Sequence, residues 1–142
     1  MSTLKNGVIW ISGLSGSGKS TVGREVVSRL KSAGDPALFL DGDNLRAILQ
    51  SKWGYAREER IELARAYFQL SSYLASQGVT VVIAAVALYD EIRSWIRTNI
   101  PNCLEVFLDV AGESTIEKKL TFAADKAEAA TAATEIEALV AV

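Results

Sequence analysis

The chain of 142 residues contains no histidine. That removes the commonest general base, the commonest metal ligand and the usual partner of a serine or cysteine nucleophile. Any catalysis must therefore rest on carboxylates, lysine, arginine, a metal ion and the backbone. Cysteine is almost as scarce. Cys103 stands alone in an apolar run, so it forms no internal disulfide and reads as a core thiol suited to a reducing cytosol. No apolar run has membrane-spanning length, which argues against a membrane partner. The opening MSTLKNGVIW lacks the apolar segment and cleavage site of a signal peptide, so a cytoplasmic protein is expected. A net charge of −2 with interspersed signs offers no basic face to nucleic acid. An anionic ligand must be held by a local cluster.

What is present is ordinary globular material, 49% hydrophobic and 23% charged, enough for one domain with a real core. GVIWIS (7–12) is a short β-branched run and predicts a buried strand. Val22, Val26, Val27 and Leu30 then recur at helical spacing over 20–32, and Gly34 and Pro36 end the helix. ALFL (37–40) predicts a second strand. Residues 44–49 predict a short helix capped by Asp43. A long helix over 58–77 turns Ile61, Ala64, Tyr67, Phe68, Leu70 and Leu74 inward and ends at Gly78 in a left-handed cap. The continuous apolar run 79–88 predicts a strand covered on both faces. Ile92, Trp95 and Ile96 mark a further helix closed by Pro101, and 103–110 a fourth strand. Trp10, Phe39 and Phe107 join Tyr67 and Phe68 as core aromatics. Alternating strands and helices imply a three-layer α/β domain with a mainly parallel sheet flanked by helices.

The last twenty residues, AADKAEAATAATEIEALVAV, hold nine alanines and no glycine or proline. They favour helix but offer little volume to a core before Ile136. The expected division is the main domain over 1–120 and, over 121–142, either a docked terminal helix or a poorly ordered tail.

The strongest chemical signal is Gly13-Leu14-Ser15-Gly16-Ser17-Gly18-Lys19-Ser20, a full match to G-x-x-x-x-G-K-[ST] between a strand and a helix. Glycines let such a loop curl until successive N–H groups point at phosphate oxygens, and the helix N-terminus adds its positive dipole end. Gly13, Ser15, Gly16, Ser17, Gly18, Lys19, Ser20 and Thr21 are the expected phosphate-binding residues. Lys19 can reach the β- and γ-phosphates, and the Ser20 hydroxyl can ligate Mg²⁺. This implies nucleotide binding in a P-loop NTPase fold without fixing the reaction.

Such enzymes need a second carboxylate to place the metal. Two strands end in aspartate, at Asp41 and Asp109, whereas the 79–88 strand ends without an acid, which counts against a GTPase or a motor. Asp41 has the better company, LDGDNLR, with Asp43, Asn44 and Arg46 close behind. A carboxylate there can hold Mg²⁺ or accept a proton, and an arginine one turn on can hold an anionic acceptor. The alternative is that Asp43 and Asn44 cap a helix and Arg46 is solvated.

GLSGSGKST, LDGDNLR, YAREER and QGVTVVIA followed by YDEIR occur here in an order and spacing that resembles the adenylylsulfate (APS) kinases, over about residues 8–110. The resemblance implies an ATP- and Mg²⁺-dependent enzyme that phosphorylates the 3′-hydroxyl of APS, giving PAPS, and it implies a homodimer. It makes Lys19 and Asp41 catalytic, Ser20 and Asp41 metal-holding, and Asp43, Arg46 and Arg60 acceptor-binding. Tyr55 stands where the family usually has a phenylalanine lining the adenine pocket.

Three departures are visible. Leu63 replaces an asparagine that contacts the acceptor, and Ala87 and Leu88 replace a serine and a proline. No counterpart of a lysine-rich KGLY lid follows the fourth strand, although Lys118 and Lys119 lie nearby. These leave room for two other readings. One is a small-molecule kinase with another nucleotide-linked or sugar hydroxyl as acceptor, such as a cytidine diphosphate derivative. The other is a catalytically weak nucleotide-binding protein. Trp53 beside Tyr55 can line the acceptor pocket, and Arg93 is either solvated or an acceptor contact.

Overall fold

Successive residues of β1, Val8–Ser12, turn to opposite faces of one sheet, Ile9 and Ile11 to one side and Val8 and Trp10 to the other, and that alternation organises the rest. The computed structural model describes residues 6–13, 18–49, 54–86 and 89–108. Its further elements are α1 Lys19–Ser32, β2 Ala37–Asp41, α2 Gly42–Ile48, α3 Arg57–Ser76, β3 Thr80–Ala84, α4 Asp90–Asn99 and β4 Cys103–Phe107. All strand pairings are parallel, in the order β2-β3-β1-β4. The mainly parallel three-layer arrangement expected from the sequence is therefore present.

Central position explains the burial. Every residue of β1 and β3 is buried, whereas β2 and β4, at the edges, are mostly half-buried. Ile9, Ile11 and Val82 face α1, where Val22, Val26, Val27 and Leu30 meet them. Val8, Trp10, Val81 and Ile83 face the other way, onto Phe68 and Ile61 of α3 and Ile92 and Ile96 of α4. Trp10 and Phe68 meet edge to face at 5.0 Å. Fully burying side chains of this size stabilises by roughly 1.5–3 kcal/mol each.

Three boundaries and the inward face of one helix differ from the sequence reading. α2 begins directly after β2, so its cap is Asp41 rather than Asp43: the Asp41 Oδ1 accepts from the Asp43 amide at 2.9 Å. β3 stops at Ala84, because Ala85 turns its amide to the Ile11 carbonyl and its own carbonyl to the Trp10 indole N–H. Leu70 and Leu74 are only partly buried, since they sit at the margin of the helix face. β4 is regular only to Phe107. Gly78 does take the left-handed conformation expected of it, with φ +99°. Asp109, Trp53, Ala87, Leu88, Lys118, Lys119 and the alanine-rich segment lie outside the described residues.

Among the described residues no helix is long and apolar enough to cross a membrane.

Candidate active site

The P-loop helix starts where the sequence places it. Gly18 precedes α1 with φ +92°, a conformation that L side chains rarely adopt, and Lys19, Ser20 and Thr21 form the first turn. Ser15, Gly16 and Ser17 lie outside the described residues, and Gly13, buried, directly follows β1.

Ser20 and Asp41 come together. The Ser20 hydroxyl donates to the Asp41 Oδ2 at 2.6 Å while Oδ1 caps α2. Burial pushes the Asp41 carboxyl upward, but the Ser20 hydroxyl, the amides of Asp43 and Asn44 and the Arg24 charge outweigh it, so it lies below the usual range. Lys19 is shifted down by burial, against the opposing pull of Asp43 and Asp41.

These residues line a cleft of about 490 Å³ at the C-terminal end of the sheet, of ordinary size for a small-molecule site. Gly18, Lys19, Ser20, Thr21, Asp41 and Asp43 form one side, with Arg46, Tyr55 and Arg60 at the rim. The opposite wall is apolar: Leu63, Ala64, Ala85, Val86 and Ile92, with Tyr67 and Tyr89.

The rim is tightly organised. The Arg46 Nη2 donates to the Gly54 carbonyl at 3.0 Å, and its guanidinium lies 3.9 Å from the Tyr55 ring centroid. The Arg60 Nε donates to the Tyr55 carbonyl at 2.8 Å, with its guanidinium 5.2 Å from the same ring. Glu59 accepts from the Gly54 amide at 2.7 Å. Two guanidiniums thus lie against one aromatic ring. Arg46 is not simply solvated, which was the alternative left open by its spacing.

Arg93 does not line the cleft. It turns to the sheet, pairs with Glu105 at 2.7 Å and lies over the Trp10 ring.

Sequence reasoning missed the second job of Tyr67. Helical periodicity placed it in the core, and it is buried, yet its hydroxyl reaches the Gly42 carbonyl at 3.0 Å. A tyrosine rather than a leucine at an inward position is the signal, because a buried hydroxyl requires a partner. Leu63, buried on the cleft wall, is another wall residue that the periodicity left out.

Mg²⁺ requires hard oxygen ligands and usually keeps several waters and substrate phosphates in its shell. The adjacent Ser20 hydroxyl and Asp41 carboxylate are such oxygens, so this pair fits the ion. Among the described residues no cluster of three acidic, cysteine or histidine side chains forms a self-sufficient metal cage. A site that shares its ion with a nucleotide has no need of one.

A family model described as adenylylsulphate kinase matches residues 5–134. The chain is 32% identical to cytidine diphosphoramidate kinase of Campylobacter jejuni, over 78% of this chain and 65% of that protein. It is 36% identical to the adenylyl-sulfate kinase of Chloroflexus aurantiacus, over 78% of this chain and 60% of that protein. The chain thus spans less than two thirds of the length of these curated relatives. Structures of the APS kinase of Mycobacterium tuberculosis superpose with a TM-score of 0.81. One, a cysteine-to-alanine variant, is 31% identical and aligns over 96% of this chain and 97% of its own. Another, in complex with AMPPNP and APS, is 26% identical over 96% and 98%. A family match across most of the sequence, on a parallel sheet carrying the P-loop and the acidic turn at one end, means that this chain belongs to the adenylylsulphate kinase family.

Proposed function

We propose that the chain is a nucleotide kinase that transfers the γ-phosphoryl group of ATP to a hydroxyl of a second nucleotide, the 3′-hydroxyl of APS first among the acceptors. The observation that carries this reading is the Ser20–Asp41 contact at 2.6 Å, set in a cleft whose rim presents Arg46 and Arg60 around Tyr55.

Each residue has a role that its surroundings suit. The P-loop amides and Lys19 hold the β- and γ-phosphates. Ser20 and Asp41 would hold Mg²⁺, which when bound neutralises the charge developing on the phosphoryl oxygens. Asp41 has one carboxylate oxygen engaged by the Ser20 hydroxyl and the other by the Asp43 amide, which hold its carboxyl below the usual range. Its contribution is therefore fixed negative charge and orientation more than proton removal. Phosphoryl transfer tolerates this, since it passes through a loose transition state that demands positioning and charge neutralisation. Arg46 and Arg60 suit an anionic acceptor, and the Tyr55 ring between them suits a base or sugar face.

One observation favours a second acceptor. Leu63 is buried in the cleft wall and offers no polar contact, and a relative that is 32% identical is a cytidine diphosphoramidate kinase. The test of both is an ATP-consumption assay with Mg²⁺ in which APS is compared with cytidine diphosphate derivatives and a panel of nucleotide-sugars. Turnover with APS alone supports the first reading. Turnover with a cytidine acceptor alone replaces it with the second. ATP binding without turnover on any acceptor overturns both in favour of a nucleotide-binding protein.

A further inference from the structure

α2 carries Asp43 and Arg46 and starts directly from Asp41, yet little holds it. It has seven residues, too few to be stable in isolation, and Leu45 is its one buried side chain. Its first residue is wedged, however. A Cβ at Gly42 would lie 3.1 Å from the Ala84 carbonyl, so the backbone here already touches the end of β3 on that side. On the other side the Gly42 carbonyl accepts the Tyr67 hydroxyl at 3.0 Å.

Tyr67 is well suited to hold that point. It sits in the middle of α3, the longest helix described, and is only 7% exposed, packed into the layer that includes Trp10 and Phe68. Its ring cannot move without disturbing that layer. A carbonyl accepts only, so the hydroxyl must donate. Burial, reinforced by Asp43 and Tyr55 and opposed by Arg46, pushes the phenol up to about 12, so the donor keeps its proton throughout the working range.

We infer that Tyr67 is a positioning residue: its hydroxyl fixes the first peptide of α2, and through it holds the Asp41 carboxylate beside the Ser20 hydroxyl, where the two would share a metal ion. The inference rests on the kinase reading of the cleft. Tyr67 acts through the Gly42 carbonyl, to which its hydroxyl is bonded. A rigid α3 and a short, weakly anchored α2 explain why one hydrogen bond matters here and would not in the middle of a long helix.

The experiment uses the full chain and Tyr67→Phe, which keeps the ring and removes the hydroxyl. Calorimetry measures ATP affinity with and without Mg²⁺, and hydrogen exchange follows the Asp43 and Asn44 amides. The expected result is metal-free ATP affinity within about twofold of wild type and a Mg²⁺-dependent gain reduced by about tenfold, with faster exchange at both amides. Where an acceptor turns over, kcat falls by a similar factor and the acceptor KM holds. An unchanged Mg²⁺ gain with unchanged exchange overturns the inference. So does an equal loss of ATP affinity with and without the ion, because that marks general loosening. Failure of the kinase reading looks different: the wild type itself transfers to no acceptor, while the Mg²⁺-dependent binding and the exchange still decide the role of Tyr67.

Discussion

Ser20 and Asp41 touch at 2.6 Å although β3 separates their strands. β3 ends at Ala84, level in register with Ile11 of β1 and Asp41 of β2. The first turn of α1 and the first turn of α2 meet above that end.

Asp41→Asn tests what that contact does. Asparagine caps helices as well as aspartate and can still accept from the Asp43 amide, so the fold survives. It loses the charge that would pair with a metal ion. Phosphoryl transfer falls by about 100-fold or more, as for removal of a preorganised charge contact, while metal-free ATP affinity stays within about threefold. A coupled assay and calorimetry on the same preparation read both. A loss below tenfold would assign the charge handling to another carboxylate.

Tyr55 offers a separation of binding from folding. It is 70% exposed, so Tyr55→Ala changes stability by no more than about 0.5 kcal/mol. It removes the face that Arg46 and Arg60 flank. The acceptor KM rises by about tenfold with the ATP KM unchanged, consistent with losing a stacking contact of 1–2 kcal/mol. Arg46→Lys should do comparable harm, because an ammonium cannot bond Gly54 and cover the ring at once. Steady-state kinetics with each substrate varied in turn show the split.

Gly23 sets two effects against each other. Alanine in mid-helix is better than glycine by up to about 1 kcal/mol. Yet a Cβ here would lie 2.3 Å from Phe39 Cε1, so the ring between α1 and β2 must shift. Overpacking of that kind costs about 1–3 kcal/mol. Gly23→Ala is therefore net destabilising by about 1–2 kcal/mol in urea melts, and adding Phe39→Leu restores most of the loss. Stabilisation by the single substitution would mean that Phe39 relocates freely.

Much of this was legible in the residues. The short β-branched run GVIWIS predicted a buried strand and the helical spacing of the valines predicted a helix, and both β1 and α1 are present. Boundaries were less legible, because they depend on partners. The end of β3 is set by the Trp10 indole taking the Ala85 carbonyl, a contact between residues 75 apart. The cap of α2 moved to Asp41 because the strand enters the helix with no linker, which local propensity does not reveal. Arg93 was undecidable from a helical face, since its partner Glu105 lies on the next strand. Tyr67 was read as core, correctly for its ring and incompletely for its hydroxyl.

Cys103 carries the pH prediction. Its thiol opens β4, where burial, with Glu105 nearby, pushes it from 9.0 to about 12. A raised value means that the folded state holds the proton more tightly than the unfolded chain. Stability from this group is fully present below pH 9 and is lost as pH rises from 9 to about 12. Tyr67 shifts in the same sense, from 10.0 to about 12, and adds to the loss at the upper end. By pH 10.5 the cysteine alone removes up to about 2 kcal/mol of unfolding free energy relative to pH 8. Cys103→Ala forfeits some packing at every pH, yet it should flatten the decline between pH 9 and 10.5. Urea denaturation of both proteins across pH 8–11 gives the two slopes. Parallel slopes would show that the thiol is not the group that titrates.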